Sequence, residues 1–329
     1  MRIPAGSTPV TGAPSHSPAA SGAQHQAARR PAAVPDFDGN LFPRSLAVHS
    51  VAKEGLNGIR QHIARRKPML ITDLASTWPA LARWQPEALG ARYGDNRVRV
   101  YDASFGTPGK GYMGAVDEMT FGHFLNDVLR EGRDLRMFLY NIGRQIPELL
   151  DDISFPDLGL KFSRRFVFTF IGCQGSTTPL HYDIDMGHVL HTVVSGRRRV
   201  RLFAPDDAVA LYQHPFTVRS YVDLDAPSLD THPALACARG WECVVEAGQT
   251  LFMPAGFWHE FHYLDAGIGL SLRASSDSLS DKLQGIGNLF VRSPVDRLAN
   301  KMAPDTWFDW KQRRARQRGQ ALLERMRSA

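Results

Sequence analysis

The sequence predicts a mainly β protein with flanking helices, and three observations support this fold class. Between residues 165 and 274, short apolar segments alternate with glycine, proline and aspartate turns, a pattern typical of a sandwich or small barrel. The chain after Ser293 has the apolar spacing and charge of helices. Its 329 residues are 43% hydrophobic and 22% charged, which is typical of a globular protein with a sizeable core.

The elements are predicted from local patterns in chain order. The segment from residue 45 is predicted as a helix, followed by a strand at Met69–Ile71. Thr120 is the predicted N-cap of a helix that ends near Arg130. Two further strands at 97–101 and 136–140 and a short helix at 145–153 complete this half. The central strands are predicted at 166–172, 188–195, 198–203, 242–246, 250–253, 260–264 and 267–274.

The two ends of the chain differ in composition from its middle. Residues 1–35 are mostly alanine, proline, serine and glycine, and such a segment cannot bury enough surface to fold, so we predict disorder. One folded domain is predicted over 36–291, with its catalytic core at about 165–275, and a basic helical segment over 292–329. The ends carry net charges of +3 and +6 and the middle −3, so the basic balance belongs to the ends. Contact of the basic end with nucleic acid is the less favoured interpretation, and a solvated helix face the favoured one.

Several protein classes are excluded by what the sequence lacks. No run approaches the roughly 18 consecutive apolar residues of a membrane span, so no membrane association is expected. Cys173, Cys237 and Cys243 are few and odd in number, which argues against a disulfide scaffold and favours a reducing, cytoplasmic location. Their spacing also lacks the CxxC pairs of a structural zinc site.

The strongest chemical signal is the TPLHYD motif at residues 178–183. Residues two apart in an extended strand point the same way, so His181 and Asp183 offer an imidazole and a carboxylate to one side. His259 follows 78 residues later, beside a second predicted strand. Two histidines and one carboxylate on one face of an ion leave open positions, which suits non-haem Fe(II) and oxygen chemistry. A turn-capping histidine with a solvated aspartate is the alternative interpretation of an isolated HxD pair.

Two segments, 176–203 and 246–273, resemble the cupin-like JmjC family of Fe(II)/2-oxoglutarate-dependent dioxygenases, especially its asparaginyl hydroxylases. The resemblance is carried by the TPxHxD motif, by GRRRVRLF at 196–203 and by the GxxLFxP…WH pattern at 248–259, and it follows the element order over about 40–275. It implies a double-stranded β-helix, or jelly-roll, that holds Fe(II) at its open end through His181, Asp183 and His259. It also implies 2-oxoglutarate and O₂ as cosubstrates and hydroxylation as the reaction.

Arg198 is the candidate residue for binding the cosubstrate. It begins a predicted strand on the same face as Val200 and Leu202, and a cation pointing into a barrel needs an anionic partner. Arginine binds a carboxylate through two parallel hydrogen bonds, so the distal carboxylate of 2-oxoglutarate is expected there, where the family commonly has lysine. An internal ion pair or an outward-reaching side chain is the alternative. The resemblance adds Thr178 and Tyr140 on the same carboxylate, with a core tyrosine as the equal alternative for Tyr140.

The chain departs from the asparaginyl hydroxylases around the other end of the cosubstrate. It has two more residues between the HxD motif and the hairpin glycine. By position, an asparagine near the C1 carboxylate becomes Val189, an aromatic residue becomes His191, and an asparagine on the last strand becomes Arg273. His188 and His191 are extra imidazoles, interpreted as metal ligands, as neighbours of the ligands or, preferably, as core histidines.

The sequence leaves the substrate and the partners open. A protein side chain, another macromolecule or a small molecule could each be the substrate, and the polar insert at 205–241 is expected to shape its channel. The C-terminal helices are expected to form a homodimer, with Trp307 and Trp310 in the apolar seam, and docking of the last helix on its own barrel is the alternative. For the chain as a whole, the alternative is a cupin-type metal- or small-molecule-binding protein without oxygenase activity.

Overall fold

A computed structural model of the protein describes residues 38–107 and 114–328, so the predicted disorder at 1–35 lies outside the described residues. The strands in this part of the chain are Ala47–His49 (β1), Met69–Ile71 (β2), Arg97–Val100 (β3), Asp117–Thr120 (β4), Arg136–Asn141 (β5), Phe162–Gly172 (β6), Thr177–His181 (β7), Gly187–Val193 (β8), Arg198–Phe203 (β9), Trp241–Val245 (β10), Thr250–Met253 (β11), Trp258–Tyr263 (β12) and Gly267–Ser275 (β13). The helices are Val51–Ala64 (α1), Ala80–Arg83 (α2), Pro86–Tyr93 (α3), Phe121–Leu129 (α4), Ile142–Gln145 (α5), Leu279–Gly287 (α6), Ser293–Met302 (α7) and Pro304–Ser328 (α8). Within the described ranges, no helix combines the length and the apolar character needed to cross a bilayer.

Two sheets form the centre of the fold. The larger has the strand order β1-β2-β11-β8-β13-β6-β5 and the smaller β10-β9-β12-β7, while β3 and β4 form a separate pair. Apart from the parallel β1–β2 pair, neighbouring strands run antiparallel. Strands distant in sequence alternate within each sheet, as in a jelly-roll. The predicted fold class, mainly β with flanking and C-terminal helices, is confirmed.

The space between the sheets holds an apolar layer closed by side chains from both. Val189 and Val193 of the larger sheet meet Val200 and Leu202 of the smaller, and each is at most 2% exposed. Burying one such side chain contributes about 1.5–3 kcal/mol relative to exposure. Because side chains alternate along a strand, the odd-numbered residues of β8 face this interior, while Leu190 packs into the core beneath the N-terminal helices.

Local patterns located several elements correctly. The strand at Met69–Ile71 is confirmed, and so is the helix capped by Thr120, whose hydroxyl accepts a hydrogen bond from the His123 amide. The helix predicted from residue 45 is wrong at its start, because Ala47–His49 is a strand that pairs with β2 and α1 begins only after Ser50. The helix predicted at 145–153 is divided into α5 and a 3₁₀ turn at Pro147–Asp152, since a proline disfavours helix at the residue before it.

The insert at 205–241 and α8 form a second apolar core outside the smaller sheet. Leu211 and Leu235 of the insert are buried there with Leu323 of α8. The insert, which is polar in overall composition, therefore contributes apolar side chains to a core. Helix α8 thus docks on its own barrel, the alternative to its predicted role in a dimer. Trp307 and Trp310 are stacked with their ring centroids 4.8 Å apart and are partly buried rather than forming an exposed seam.

His214 in this second core should make stability depend on pH. Its ring is 3% exposed between Tyr221 and Phe308, and burial, together with Lys311 and Arg318, lowers its pKa to about 3. The unfolded chain takes up this proton near pH 6.5, whereas the folded chain does not until about pH 3, so the folded state loses stability as pH falls below 6.5. Between pH 7 and pH 5 the free energy of unfolding should therefore fall by about 2 kcal/mol less in the His214→Phe protein than in the wild type.

The measurement is the urea midpoint of both proteins at each pH. Comparing how far each midpoint changes between the two pH values removes any constant effect of the substitution on packing. An equal change with pH in the two proteins would contradict the lowered pKa of His214.

Candidate active site

The predicted triad converges at one end of the barrel. Strands β7 and β12 are antiparallel neighbours, and their register places His181 directly opposite His259. Asp183 follows two residues after His181, and one donor atom from each of the three side chains lies within 4.8 Å of the others. The two imidazole centroids are 4.3 Å apart. Residues separated by 78 positions in sequence are thus within the span of a single coordinated ion.

Backbone carbonyls fix the tautomer of both imidazoles. Nδ1 of His181 lies 2.8 Å from the Pro179 carbonyl oxygen, and Nδ1 of His259 lies 3.0 Å from that of Phe257. A carbonyl oxygen only accepts hydrogen bonds, so each Nδ1 carries the proton and each Nε2 keeps a free lone pair, as in metal-binding histidines. Burial and the neighbouring His259 lower the pKa of His181 to about 3, and burial also lowers the pKa of His259. Both rings are therefore neutral at pH 7.

Asp183 is held by Arg273, a contact that the sequence did not predict. Burial alone would raise the pKa of Asp183, but Arg273 and the two histidines lower it to about 2. Nη2 of Arg273 lies 2.5 Å from Oδ1 of Asp183, and Nη1 bonds both carboxylate oxygens of Asp185 at 2.9 and 3.0 Å. Asp183 is thus ionised and oriented through Oδ1, and no hydrogen bond to its Oδ2 is found among the described residues.

A cavity of about 600 Å³ opens beside the triad. Its walls are largely aromatic, with Phe166, Phe168 and Phe170 of β6 on one side and Phe138 on another. Predicted site residues that line it are Thr178, His181, Asp183, Arg198 and His259. Such an apolar cavity with a few convergent polar groups is typical of a small-molecule site.

Arg198 is buried in this cavity without an acidic partner. It is 1% exposed, and its guanidinium donates to the Phe170 carbonyl at 2.9 Å and to Nε2 of His191 at 2.8 Å. Among the described residues, no carboxylate forms a salt bridge with it, and its Nε has no hydrogen-bond partner. Its Cζ also lies 4.2 Å from the centroid of the Tyr263 ring. The internal ion pair considered as an alternative is therefore not formed, and the cation is available to an anion.

Gly269 on β13 makes room for this guanidinium. A Cβ atom added at residue 269 would overlap Nη1 and Cζ of Arg198. A side chain at residue 269 would therefore require the guanidinium of Arg198 to move from its position.

The remaining histidines have different surroundings. His191 lines the cavity, where its Nε2 accepts from Arg198 and its Nδ1 donates to the Ser271 hydroxyl at 2.9 Å. Burial and Arg198 hold the pKa of His191 well below its usual range. His188 lies outside the cavity lining, and its Nδ1 accepts from the Ala255 amide at 3.1 Å. His191 thus positions Arg198, and His188 has the core role that the sequence favoured.

Tyr140 is not brought to the cavity. Its ring stacks on that of Phe121 with the centroids 6.2 Å apart, and it packs against the core beneath the larger sheet. Tyr140 is therefore placed as a core tyrosine, the alternative given above, and not beside the cavity. Sequence reasoning missed Arg136 and Arg219, which do line the cavity. Arg136 begins an apolar strand, as Arg198 does, so the same pattern could have found it. Of the insert, Val218 and Arg219 contribute to the lining, a smaller part than predicted.

Comparisons with known proteins agree with this architecture. A family model described as a cupin-like domain matches residues 56–274, about two thirds of the chain. The chain is 26% identical over 226 residues to lysine-specific demethylase 8 of Xenopus tropicalis, covering 66% of this chain and 50% of that protein. It is 28% identical over 232 residues to human tRNA wybutosine-synthesizing protein 5 (64% and 72%) and 27% over 231 residues to JmjC domain-containing protein A of Dictyostelium discoideum (64% and 88%). Fold, triad and similarity together show that the chain belongs to the cupin-like JmjC family.

Proposed function

We propose that the chain is an Fe(II)- and 2-oxoglutarate-dependent dioxygenase that hydroxylates its substrate. The observation that carries this proposal is one cavity that contains both the His181–Asp183–His259 donor set and a buried guanidinium, that of Arg198, without an acidic partner. Two neutral imidazoles and a carboxylate fit Fe(II) and leave positions open. A protein that only bound metal would need the donor set but not the arginine.

Different side chains would bind the ion and the cosubstrate. When bound, Fe(II) and 2-oxoglutarate would supply the oxygen activation. Nε2 of each histidine and Oδ2 of Asp183 would hold the ion, and Arg273 would keep the aspartate in one orientation. Such supporting contacts commonly change metal affinity or activity 10- to 100-fold when they are lost.

Arg198 and Thr178 would hold the distal carboxylate of the cosubstrate. Both line the cavity, and the strands that carry them flank β12 in the smaller sheet. A guanidinium can form two charge-assisted hydrogen bonds with a carboxylate. The phenylalanines of β6 would exclude water from the remaining volume, which strengthens these electrostatic contacts.

A protein side chain is the substrate class that we favour. The rim of the cavity includes Leu139 and Phe166, which are 51% and 46% exposed and give an incoming side chain an apolar contact. Basic side chains also line the cavity, among them Arg136, Lys161 and Arg219, and they would offer contacts to the phosphates of a polynucleotide. The relatives named above include a lysine-specific demethylase and a tRNA wybutosine-synthesizing protein, so RNA is the other outcome of a substrate screen.

The proposal is tested by an anaerobic titration of the protein with Fe(II) and 2-oxoglutarate. A visible charge-transfer band should appear only when both are present, and admission of O₂ should yield succinate. Iron binding without the band and without succinate, in the presence of screened peptides and RNA, would favour the metal-binding alternative.

We also propose that the chain forms a homodimer, through a different surface from the predicted tryptophan seam. The helical run 279–302 exposes nine large apolar side chains, each 40–77% exposed: Leu279, Leu283, Ile286, Leu289, Phe290, Val291, Val295, Leu298 and Met302. Exposed apolar side chains concentrated in one helical run mark an interaction surface, and a standard interface buries about 800 Å² on each partner. A second copy supplies a matching apolar face by symmetry.

Disrupting this apolar face should change the native mass. Phe290→Asp combined with Leu298→Asp places two charges in the interface, so light scattering should show the 36.6 kDa chain instead of twice that mass. Val244→Asp changes an apolar residue that is 42% exposed on β10, outside this face, and should leave the dimer intact. A monomeric wild type, or a dimeric double variant, would contradict the proposal.

A further inference from the structure

A second cluster of metal-binding residue types lies away from the cavity. His49 ends β1, Glu54 lies in the first turn of α1 and His62 in its last turn. Nδ1 of His49 is 3.1 Å from Oε1 of Glu54, and Nε2 of His62 is 3.0 Å from Oε2. One donor atom of each side chain lies within 4.8 Å of the others. None of the three lines the cavity, so the oxygenase proposal leaves them without a role.

The backbone of α1 bends to create this cluster. Gly55 has φ of 67° and ψ of 166° inside the helix, a conformation that favours glycine, so one turn ends at Glu54 and a new helical segment follows. A straight helix would separate residues 54 and 62 by about 12 Å along its axis. The bend instead returns His62 to the carboxylate of Glu54.

Both imidazoles direct a ring nitrogen at the carboxylate of Glu54, and their centroids are 3.8 Å apart. A divalent cation would replace the two N–H protons and leave both rings neutral. Glu54 also accepts from the Ser50 amide at 3.3 Å, so it caps the helix whether or not an ion is present.

The distances suit a small tetrahedral ion. Zn²⁺ binds histidine nitrogen and carboxylate oxygen at about 2.0–2.2 Å, which puts neighbouring ligand atoms of a tetrahedron about 3.3 Å apart. Oε2 of Glu54 lies 3.2 Å from Nδ1 of His49 and 3.0 Å from Nε2 of His62, and both separations are close to that edge. The side chains of His49, Glu54 and His62 are 14%, 31% and 26% exposed, so water can reach the fourth position.

We propose that His49, Glu54 and His62 form a second divalent-metal site, suited to Zn²⁺, which joins the edge strand β1 to α1. The site takes its ion from solvent and completes its coordination with water. It shares no residue with the His181–Asp183–His259 triad, so it stands whether or not the chain is an oxygenase.

The test counts metal ions in a protein that lacks the first site. In His181→Ala/His259→Ala protein, Co²⁺ used in place of Zn²⁺ should bind at about one ion per chain, with the strong visible absorption of a four- or five-coordinate ion. Adding His62→Ala or Glu54→Gln should weaken binding at least 100-fold. Glutamine keeps an oxygen for the Ser50 amide, so Glu54→Gln separates metal binding from helix capping.

A matched control and a second count complete the experiment. His123→Ala removes a histidine that pairs with Asp127 at 3.2 Å outside either three-residue cluster, and it should leave the count unchanged. If the background protein does not fold, the count in otherwise wild-type protein should fall from two to one with His62→Ala. No binding in the folded background, or a count that His62→Ala and Glu54→Gln leave unchanged, would overturn the second site.

Discussion

His259→Ala is expected to abolish the Fe(II)/2-oxoglutarate charge-transfer band and to lower succinate formation at least 100-fold. Of the three donors, His259 joins the triad from a different strand, so its loss leaves only His181 and Asp183, which are two residues apart on one chain segment. Two remaining ligands hold a ferrous ion far less tightly than three. The readouts are the anaerobic spectrum and iron content after dialysis.

His262→Ala is the matched control for this variant. It lies on the same strand, three residues further on, and does not line the cavity. Its spectrum and iron content should match those of the wild type. An intact band in the His259→Ala protein would remove the basis for the oxygenase proposal.

Arg198→Met should raise the KM for 2-oxoglutarate about 100-fold while leaving iron affinity unchanged. A charge-assisted contact between a buried guanidinium and a carboxylate contributes about 2–3 kcal/mol, which corresponds to a change of this size. Arg198→Lys should lose less than tenfold, because it retains the positive charge that would pair with the carboxylate. The KM is read from succinate formation, and iron affinity from dialysis in the absence of cosubstrate.

Arg201→Met provides the comparison on the same strand. Arg201 is also buried, but it pairs with Glu242 and Glu260 at 2.7 and 3.1 Å and does not line the cavity. Its loss should reduce stability by leaving those carboxylates unpaired, with no change in the KM. Equal KM values for Arg198→Met and the wild type would show that the cosubstrate binds elsewhere.

Local sequence signals predicted those elements that depend on neighbouring residues alone. Thr120 caps α4 as expected because an N-cap depends only on residues in the first turn. Strand β1 was predicted as helix, since its three residues are ordered by pairing with β2 about twenty positions later. Helix α6 was not predicted. Its apolar residues Leu279, Leu283 and Ile286 face solvent, so they do not form the buried apolar stripe by which a helix is usually predicted.

The site was predictable to the extent that its residues share a strand or a motif. His181 and Asp183 are two apart, and the position of Arg198 followed from strand alternation. The contact of Arg273 with Asp183 joins residues 90 positions apart and depends on how β13 lies beside β8. Tyr140 was misplaced because its strand is irregular next to β6, with a break in register between Met137 and Tyr140 that changes which side chains reach the cavity.

The close approach of Gly269 to Arg198 constrains how this pocket can evolve. With the guanidinium of Arg198 in this position a Cβ at residue 269 would overlap it, and the ammonium of lysine is more compact than the planar guanidinium. Arginine and glycine at these two positions should therefore change together between lineages, with lysine accompanied by a larger residue. The pair gives a marker, readable from an alignment, for relatives whose pocket is arranged as in this chain.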